Sequence, residues 1–183
     1  MRSPRILWTR DDNYYKQAPW RGTKALDGGT LMNQCIHNID LLLWMMGSEV
    51  ERVHCERDTF LRNIEMEDFG AILIRFKNGS IGMVEGSACV YPQNLEETLS
   101  IFGEKGTVVI GGLAVNEIKT WKFADTRDYD NDDQSIRVDN VYGSGHTPLY
   151  KNFIDAINNG TEPLINGEDG KKAMEIILRA YEC

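Results

Sequence analysis

The chain has 183 residues, with 20 Lys and Arg against 28 Asp and Glu, so its formal net charge is −8. That length fits one large domain or two small ones, and at 42% apolar and 26% charged residues the balance excludes disorder over the whole chain. No basic tract offsets the negative charge, which argues against broad nucleic-acid or anionic-membrane binding. The longest apolar run, Leu41 to Met46, falls far short of the ~20 residues of a membrane helix. Met1-Arg2-Ser3-Pro4 lacks the apolar core of a signal peptide. Four cysteines at positions 35, 55, 89 and 183 follow no disulfide or CxxC spacing. Both features point to a cytoplasmic protein with reduced thiols.

In chain order, Arg5 to Thr9 is a short strand candidate, and Asp11 to Gly29 reads as a polar, aromatic loop. From about Thr30 to Met46 the pattern is helical and apolar nearly all round, which predicts a buried helix stopped by Gly47. A run of strands follows: Val50 to Asp58, Phe69 to Phe76, Ser80 to Ala88, Thr98 to Phe102, Thr107 to Ile110 and Ala114 to Phe123. Lys77-Asn78-Gly79 and Gly103-Glu104-Lys105-Gly106 are hairpin signals, so the sheet is expected to be largely antiparallel. Ala124 to Gly145 carries six Asp and reads as a solvated loop. Thr147-Pro148 then opens a helix as N-cap and first turn, with Leu149, Phe153, Ile154 and Ile157 on one face and Gly160 at its end. Glu168 to Glu182 gives a last helix with Ala173, Ile176, Ile177 and Ala180 as its apolar stripe. One helix, many antiparallel strands and two helices define an α+β fold.

The chemistry-bearing stretch runs from Trp20-Arg21-Gly22-Thr23 to Leu26-Asp27-Gly28-Gly29-Thr30-Leu31-Met32-Asn33-Gln34-Cys35-Ile36-His37-Asn38-Ile39-Asp40. Asn33 and His37 are four apart, which predicts a shared helix face about 6 Å apart, with Asp40 three beyond His37 and in reach to orient the ring. His37 behind a glycine turn can serve as a general acid or base, or simply cap a buried helix. Arg21 can grip a carboxylate or phosphate bidentately, or sit on the surface. Tyr14, Tyr15 and Trp20 can stack on a ring or pin the loop. Lys16, Arg21 and Lys24 give this loop a local basic character. Metal readings are weak. Cys35, His37, His54 and Cys55 match no zinc module, and Asp128, Asp130, Asp132 and Asp139 make a calcium loop lacking its Gly and Glu. No metal site is expected. There is no GxGxxG, GxxxxGK[ST] or GxSxG motif, so no dinucleotide or P-loop site is expected on this chain itself.

The order of these features resembles the C-terminal domain of the Gfo/Idh/MocA oxidoreductase family. The carrying residues are Gly28-Gly29-Thr30-Leu31 with Asn33, His37 and Asp40, then Leu41-Leu42 before Gly47, Phe76-Lys77-Asn78-Gly79, Ile101-Phe102-Gly103-Glu104-Lys105-Gly106, and Leu149-Tyr150 with Phe153 and Ala156-Ile157. Tyr14-Tyr15, Trp20-Arg21-Gly22-Thr23 and Leu31-Met32-Asn33-Gln34 look most like the branch that oxidises the 3-hydroxyl of UDP-N-acetylglucosaminuronate with NAD.

The resemblance implies an open, mostly antiparallel sheet with helices on one face. It implies that residues 1–183 form a single substrate-binding and oligomerisation domain of a two-domain enzyme. The N-terminal Rossmann half, which would bind NAD or NADP and carry a Glu-Lys-Pro lysine, is absent from this chain. His37 is then the catalytic residue, and Asn33, Gln34, Arg21, Tyr15 and Trp20 bind a small-molecule sugar. Many family members have Asp where Asn33 stands, and Asn cannot act as a base. A homodimer or homotetramer through the sheet face is implied, with no nucleic-acid or membrane partner. Two other readings remain open: a non-catalytic oligomerisation or sugar-binding module, and a dehydrogenase of another sugar or cyclitol.

Overall fold

The structure is a computed structural model that describes residues 1–112, 115–125 and 145–183. Seven strands run in chain order as β1 (Arg2–Leu7), β2 (Val50–Asp58), β3 (Phe69–Phe76), β4 (Ile81–Ser87), β5 (Glu96–Gly103), β6 (Gly106–Gly111) and β7 (Glu117–Phe123). They form one sheet ordered β2-β3-β4-β1-β5-β6-β7. Every neighbouring pair is antiparallel except β1 with β4. The β3–β4 hairpin turns at Asn78-Gly79, where Gly79 sits at φ 83, the left-handed region an Asn-Gly turn supplies.

The helices are α1 (Asp12–Lys16), α2 (Thr30–Asn33), α3 (Ile36–Met46), α4 (His146–Asn159) and α5 (Gly167–Tyr181). Period-2 alternation sends Ile72, Ile74 and Phe76 of β3 to one face, where they bury with Ile6 and Val84 against Leu31, Ile39 and Leu42 of α2 and α3. Ala173, Ile176, Ile177 and Ala180 of α5 complete that core. Burying each of the larger side chains stabilises the fold by roughly 2 kcal/mol. Gly70 and Gly86 let the helices lie close to the sheet. A Cβ on Gly70 would come 2.8 Å from Leu31, and one on Gly86 would press into the Cys35 Sγ. Leu73 and Met83 point to the other face and are largely exposed. There Arg5 pairs with Glu85 and Glu96, each at 2.9 Å. The fold is α+β, with an open, mostly antiparallel sheet and helices on one face.

Several sequence expectations change. The first strand begins at Arg2 and ends at Leu7 rather than spanning Arg5 to Thr9. The polar segment holds a short helix, because the Asp11 carboxylate accepts from the Tyr14 N–H at 2.9 Å and caps α1. The helix expected from Thr30 to Met46 is two helices broken at Gln34–Cys35, where both N–H groups donate to the Thr30 carbonyl, at 2.9 and 3.1 Å. Asn33 and His37 are therefore not successive turns of one helix. Nor is α3 buried all round, since Trp44 is 75% exposed.

The α4 helix starts at His146, with Gly145 at its N-cap and no capping side chain, so Thr147 is not the cap. Its apolar face stays exposed: Leu149, Phe153, Ile154 and Ile157 lie outside the core. By contrast α5 has a full capping box from Asn166 and Asp169. The loop expected at Ala124 to Gly145, with the Asp128, Asp130, Asp132 and Asp139 reading, lies almost wholly outside the described residues. All four cysteines are unpaired. His54 and Cys55, neighbours on β2, point to opposite faces of the sheet.

Candidate functional site

The site is built where α1, the glycine turn and α2 meet over the end of β1. Glu67, buried to 1% exposure, organises that corner from beneath. Its carbonyl accepts from Thr30 N–H at 2.9 Å, and its Oε1 accepts from Leu31 N–H at 2.9 Å and from the Tyr181 hydroxyl at 3.1 Å. The Tyr181 oxygen in turn accepts from Gly29 N–H at 3.2 Å. A side chain at position 29 would land on the Glu67 carboxylate, so this position requires glycine for close approach. Burial pushes the Glu67 carboxyl above the usual carboxylate range, while the Leu31 and Tyr181 hydrogen bonds and the Arg57 charge oppose that rise. Burial, then the Glu67 charge, pushes the Tyr181 phenol up.

Above this base lies a connected polar cluster. The Arg10 guanidinium donates from Nη2 to Gln34 Oε1 at 2.7 Å and from Nη1 to the Thr9 carbonyl at 2.8 Å. Arginine cannot accept, so Arg10 fixes the orientation of the Gln34 amide. Gln34 Nε2 then donates to the Tyr14 hydroxyl at 3.2 Å and to Asn33 Oδ1. Tyr14 donates to Asn33 Oδ1 at 3.3 Å, and Asn33 Nδ2 donates to Asp27. Asp27 also accepts from Gly22 N–H at 2.7 Å. Arg21 stacks on Tyr14, its guanidinium carbon 4.0 Å from the ring centroid, and on Trp20 at 4.9 Å.

Tyr14, Arg21, Asn33, Gln34 and His37 line one open groove. His37 is exposed at the first turn of α3. Asp40 is exposed on the same groove, but no hydrogen bond joins it to His37 among the described residues. Tyr15 and Trp20 do not line the groove. Tyr15 packs edge-on against Tyr14 at 5.2 Å, and its hydroxyl is pushed up to about 12, chiefly by burial. Trp20 lies beside Arg21. Glu97 of β5 also faces the groove, and burial pushes its carboxyl up.

Sequence reasoning missed Arg10, Tyr14 as the groove-facing tyrosine, Glu67 and Glu97. A signal existed for Glu67 and Asp68, two adjacent acids at the start of a strongly apolar strand. Asp68 spends its carboxylate on the N–H groups of Phe60, Leu61 and Arg62 at 2.7–2.9 Å. The Gly28-Gly29 turn offers no phosphate cradle, because Met32 and Glu67 fill the space beside those two residues.

The profile of the GFO/IDH/MocA C-terminal domain matches residues 3–109. The chain belongs to the GFO/IDH/MocA family. The WlbA dehydrogenase from Bordetella pertussis, solved with NADH and UDP-GlcNAcA, is 38% identical and superimposes with a TM-score of 0.88. That match covers 100% of this chain and 52% of that one. The Chromobacterium violaceum WlbA dehydrogenase, solved with the same two ligands, is also 38% identical, with a TM-score of 0.87 and coverage of 100% and 51%. The myo-inositol 2-dehydrogenase of Thermotoga maritima is 26% identical over 161 residues, 81% of this chain and 45% of that protein. This GFO/IDH/MocA domain thus spans about half the length of the relatives it matches. Among the described residues no helix is long and apolar enough to cross a membrane.

Proposed function

We propose that this domain is the substrate-binding half of an NAD(P)-dependent dehydrogenase that oxidises a hydroxyl of a UDP-linked N-acetylated uronic sugar. The observation that carries this reading is the groove itself, where an oriented amide pair, Asn33 and Gln34, lies between a stacked arginine and an exposed histidine. The 38% identity to two dehydrogenases solved with UDP-GlcNAcA supports that choice of sugar. Asn33 and Gln34 hold sugar hydroxyls, since each amide both donates and accepts. Arg21 pairs with a substrate carboxylate or phosphate. Trp20 backs Arg21 and Tyr15 backs Tyr14, so both reach the sugar through a neighbour. His37, open to the groove, takes the hydroxyl proton as general base.

The Gly28-Gly29 turn beside the groove does not fit a dinucleotide pyrophosphate, because the chain's own Met32 and Glu67 side chains fill the space next to it. NAD or NADP would therefore be held by protein beyond this chain, and no step at the nicotinamide is assigned to these residues. In the enzyme that carries this domain, His37→Ala is expected to lower kcat at least 100-fold with sugar affinity within a few-fold of wild type. Full turnover by that variant would remove His37 from the chemistry.

A second reading, a non-catalytic oligomerisation module, is favoured by the sheet face that no described helix covers, where Leu73 and Met83 are exposed. The two readings share a homodimer or homotetramer through that face. A stable dimer by light scattering that ignores every sugar would select the module.

A further inference from the structure

Two guanidiniums share one aromatic ring in this groove. The Arg21 guanidinium carbon lies 4.0 Å from the Tyr14 centroid and that of Arg10 lies 5.0 Å from it. Each also stacks on a tryptophan, Arg10 on Trp8 at 4.7 Å and Arg21 on Trp20 at 4.9 Å. Neither forms an ion pair among the described residues. The Nε of each is inaccessible to solvent and unpartnered there. Arg21 donates no side-chain hydrogen bond there at all, and Arg10 donates only to neutral carbonyl oxygens, those of Thr9 and Gln34.

Two of the acids near in sequence are committed elsewhere, and Asp12 forms no ion pair with either arginine among the described residues. Asp11 caps α1, and Asp27 is held by Gly22 and Asn33. Two like charges beside one ring, with donors left over, are stabilised by an anion that binds near both. An arginine presents five N–H donors in a planar fork that fits an oxyanion bidentately, and the three rings hold both forks before any ligand arrives. A chain of net charge −8 repels an anionic substrate at long range, so its site needs such a local cationic feature.

We propose that Arg10 and Arg21, stacked on Tyr14, form an oxyanion clamp that makes this site selective for an anionic sugar over a neutral sugar or cyclitol. Arg10 is the unassigned half of that clamp, and through Gln34 it also orients the amide that meets the sugar. The inference rests on the substrate half-site reading and narrows it. The anionic group is a carboxylate or a diphosphate.

The test is calorimetric titration of the 183-residue chain with UDP-GlcNAcA, UDP-N-acetylglucosamine, UDP and myo-inositol. Wild type would be compared with Arg10→Gln, Arg10→Lys and Arg21→Gln, with Arg75→Gln on the open sheet face as a control for net charge. A thermal melt of each variant precedes the titration. Wild type is expected to bind UDP-GlcNAcA at least tenfold more tightly than myo-inositol, with affinity falling as salt rises. Arg10→Gln and Arg21→Gln are each expected to lose tenfold or more for the anionic ligands, while Arg75→Gln loses none. Arg10→Lys, which keeps the charge and folds with the least disturbance, is expected to recover only part of the loss.

Equal binding of UDP-N-acetylglucosamine and UDP-GlcNAcA identifies the diphosphate as the clamped group. A preference for UDP-GlcNAcA identifies the carboxylate. Wild-type binding that none of the arginine variants changes overturns the clamp and leaves the half-site reading standing. Failure of wild type to bind any of the four overturns both.

Discussion

The two halves of the sheet belong to one hydrogen-bonded sheet, yet they are held by different forces. Strands β1 to β4 bury Ile6, Ile72, Ile74, Phe76 and Val84 in a core roofed by α2, α3 and α5. Strands β5 to β7 add no residue to that core. Leu99 and Val108 are buried there, but the packing of this half is strand on strand. The α4 helix has an amphipathic sequence and leaves its apolar face in solvent. The candidate site stands on the roofed half, where two glycines draw the helices onto the sheet and fix α2 and α3. Precision at the site follows from that core, whereas the other half offers surface.

The contrast breaks most visibly in stability. Ile74→Ala is expected to cost about 3 kcal/mol, because it opens a cavity under the helices. Ile157→Ala on the exposed face of α4 is expected to stay within about 0.5 kcal/mol of wild type. Urea denaturation measures both, and equal losses would erase the distinction between the halves.

Next comes Glu67, which ties the site to the core. Its folded-state pKa is raised, so the folded chain holds the proton more tightly than the unfolded chain does. Stability should therefore fall as pH rises from the unfolded carboxylate value through the folded one. Tyr181, Arg57, Cys35 and Cys55 are titratable or charged groups coupled to this carboxylate, and Arg57 opposes the shift. Glu67→Gln keeps an acceptor for Leu31 N–H and should flatten that fall, so that its stability relative to wild type improves from acid to neutral pH. Melts from pH 4 to 8 that show the same slope in both proteins would contradict this.

Asn166→Ala removes the α5 capping box and should cost about 1 kcal/mol by the same denaturation. A small effect is expected on the open face as well. Arg5→Met breaks two partly exposed ion pairs and should cost no more than about 1 kcal/mol, with most of that loss screened away in high salt.

Much of the fold was legible because its signals are local. The Val50 to Asp58 and Phe69 to Phe76 strands carry alternation or apolar runs, and Asn78-Gly79 names its own turn. The stripe of α5 repeats at helical spacing and lands on the core. The break at Gln34–Cys35 was not legible, since the apolar pattern runs on through it and the Gln34 side chain is held by Arg10 from beyond the loop. The exposure of α4 was hidden for a similar reason, because an amphipathic pattern does not say what covers it.

At the site, Asn33, Gln34, Arg21 and His37 do share one groove. Arg10 and Glu67 escaped because their importance lies in what they face across the fold. Tyr14 and Tyr15 are adjacent in sequence, and only the packing of the short α1 decides which of them looks into the groove.

The central claim is that this chain binds the sugar and leaves the dinucleotide to protein beyond it. Titrating the chain separately with UDP-GlcNAcA and with NAD, following the fluorescence of Trp20 beside Arg21, tests that claim most directly. The account predicts a saturable response to the sugar and none to NAD. A response to NAD alone would contradict it, because the dinucleotide would then have its site on the half assigned here to the substrate.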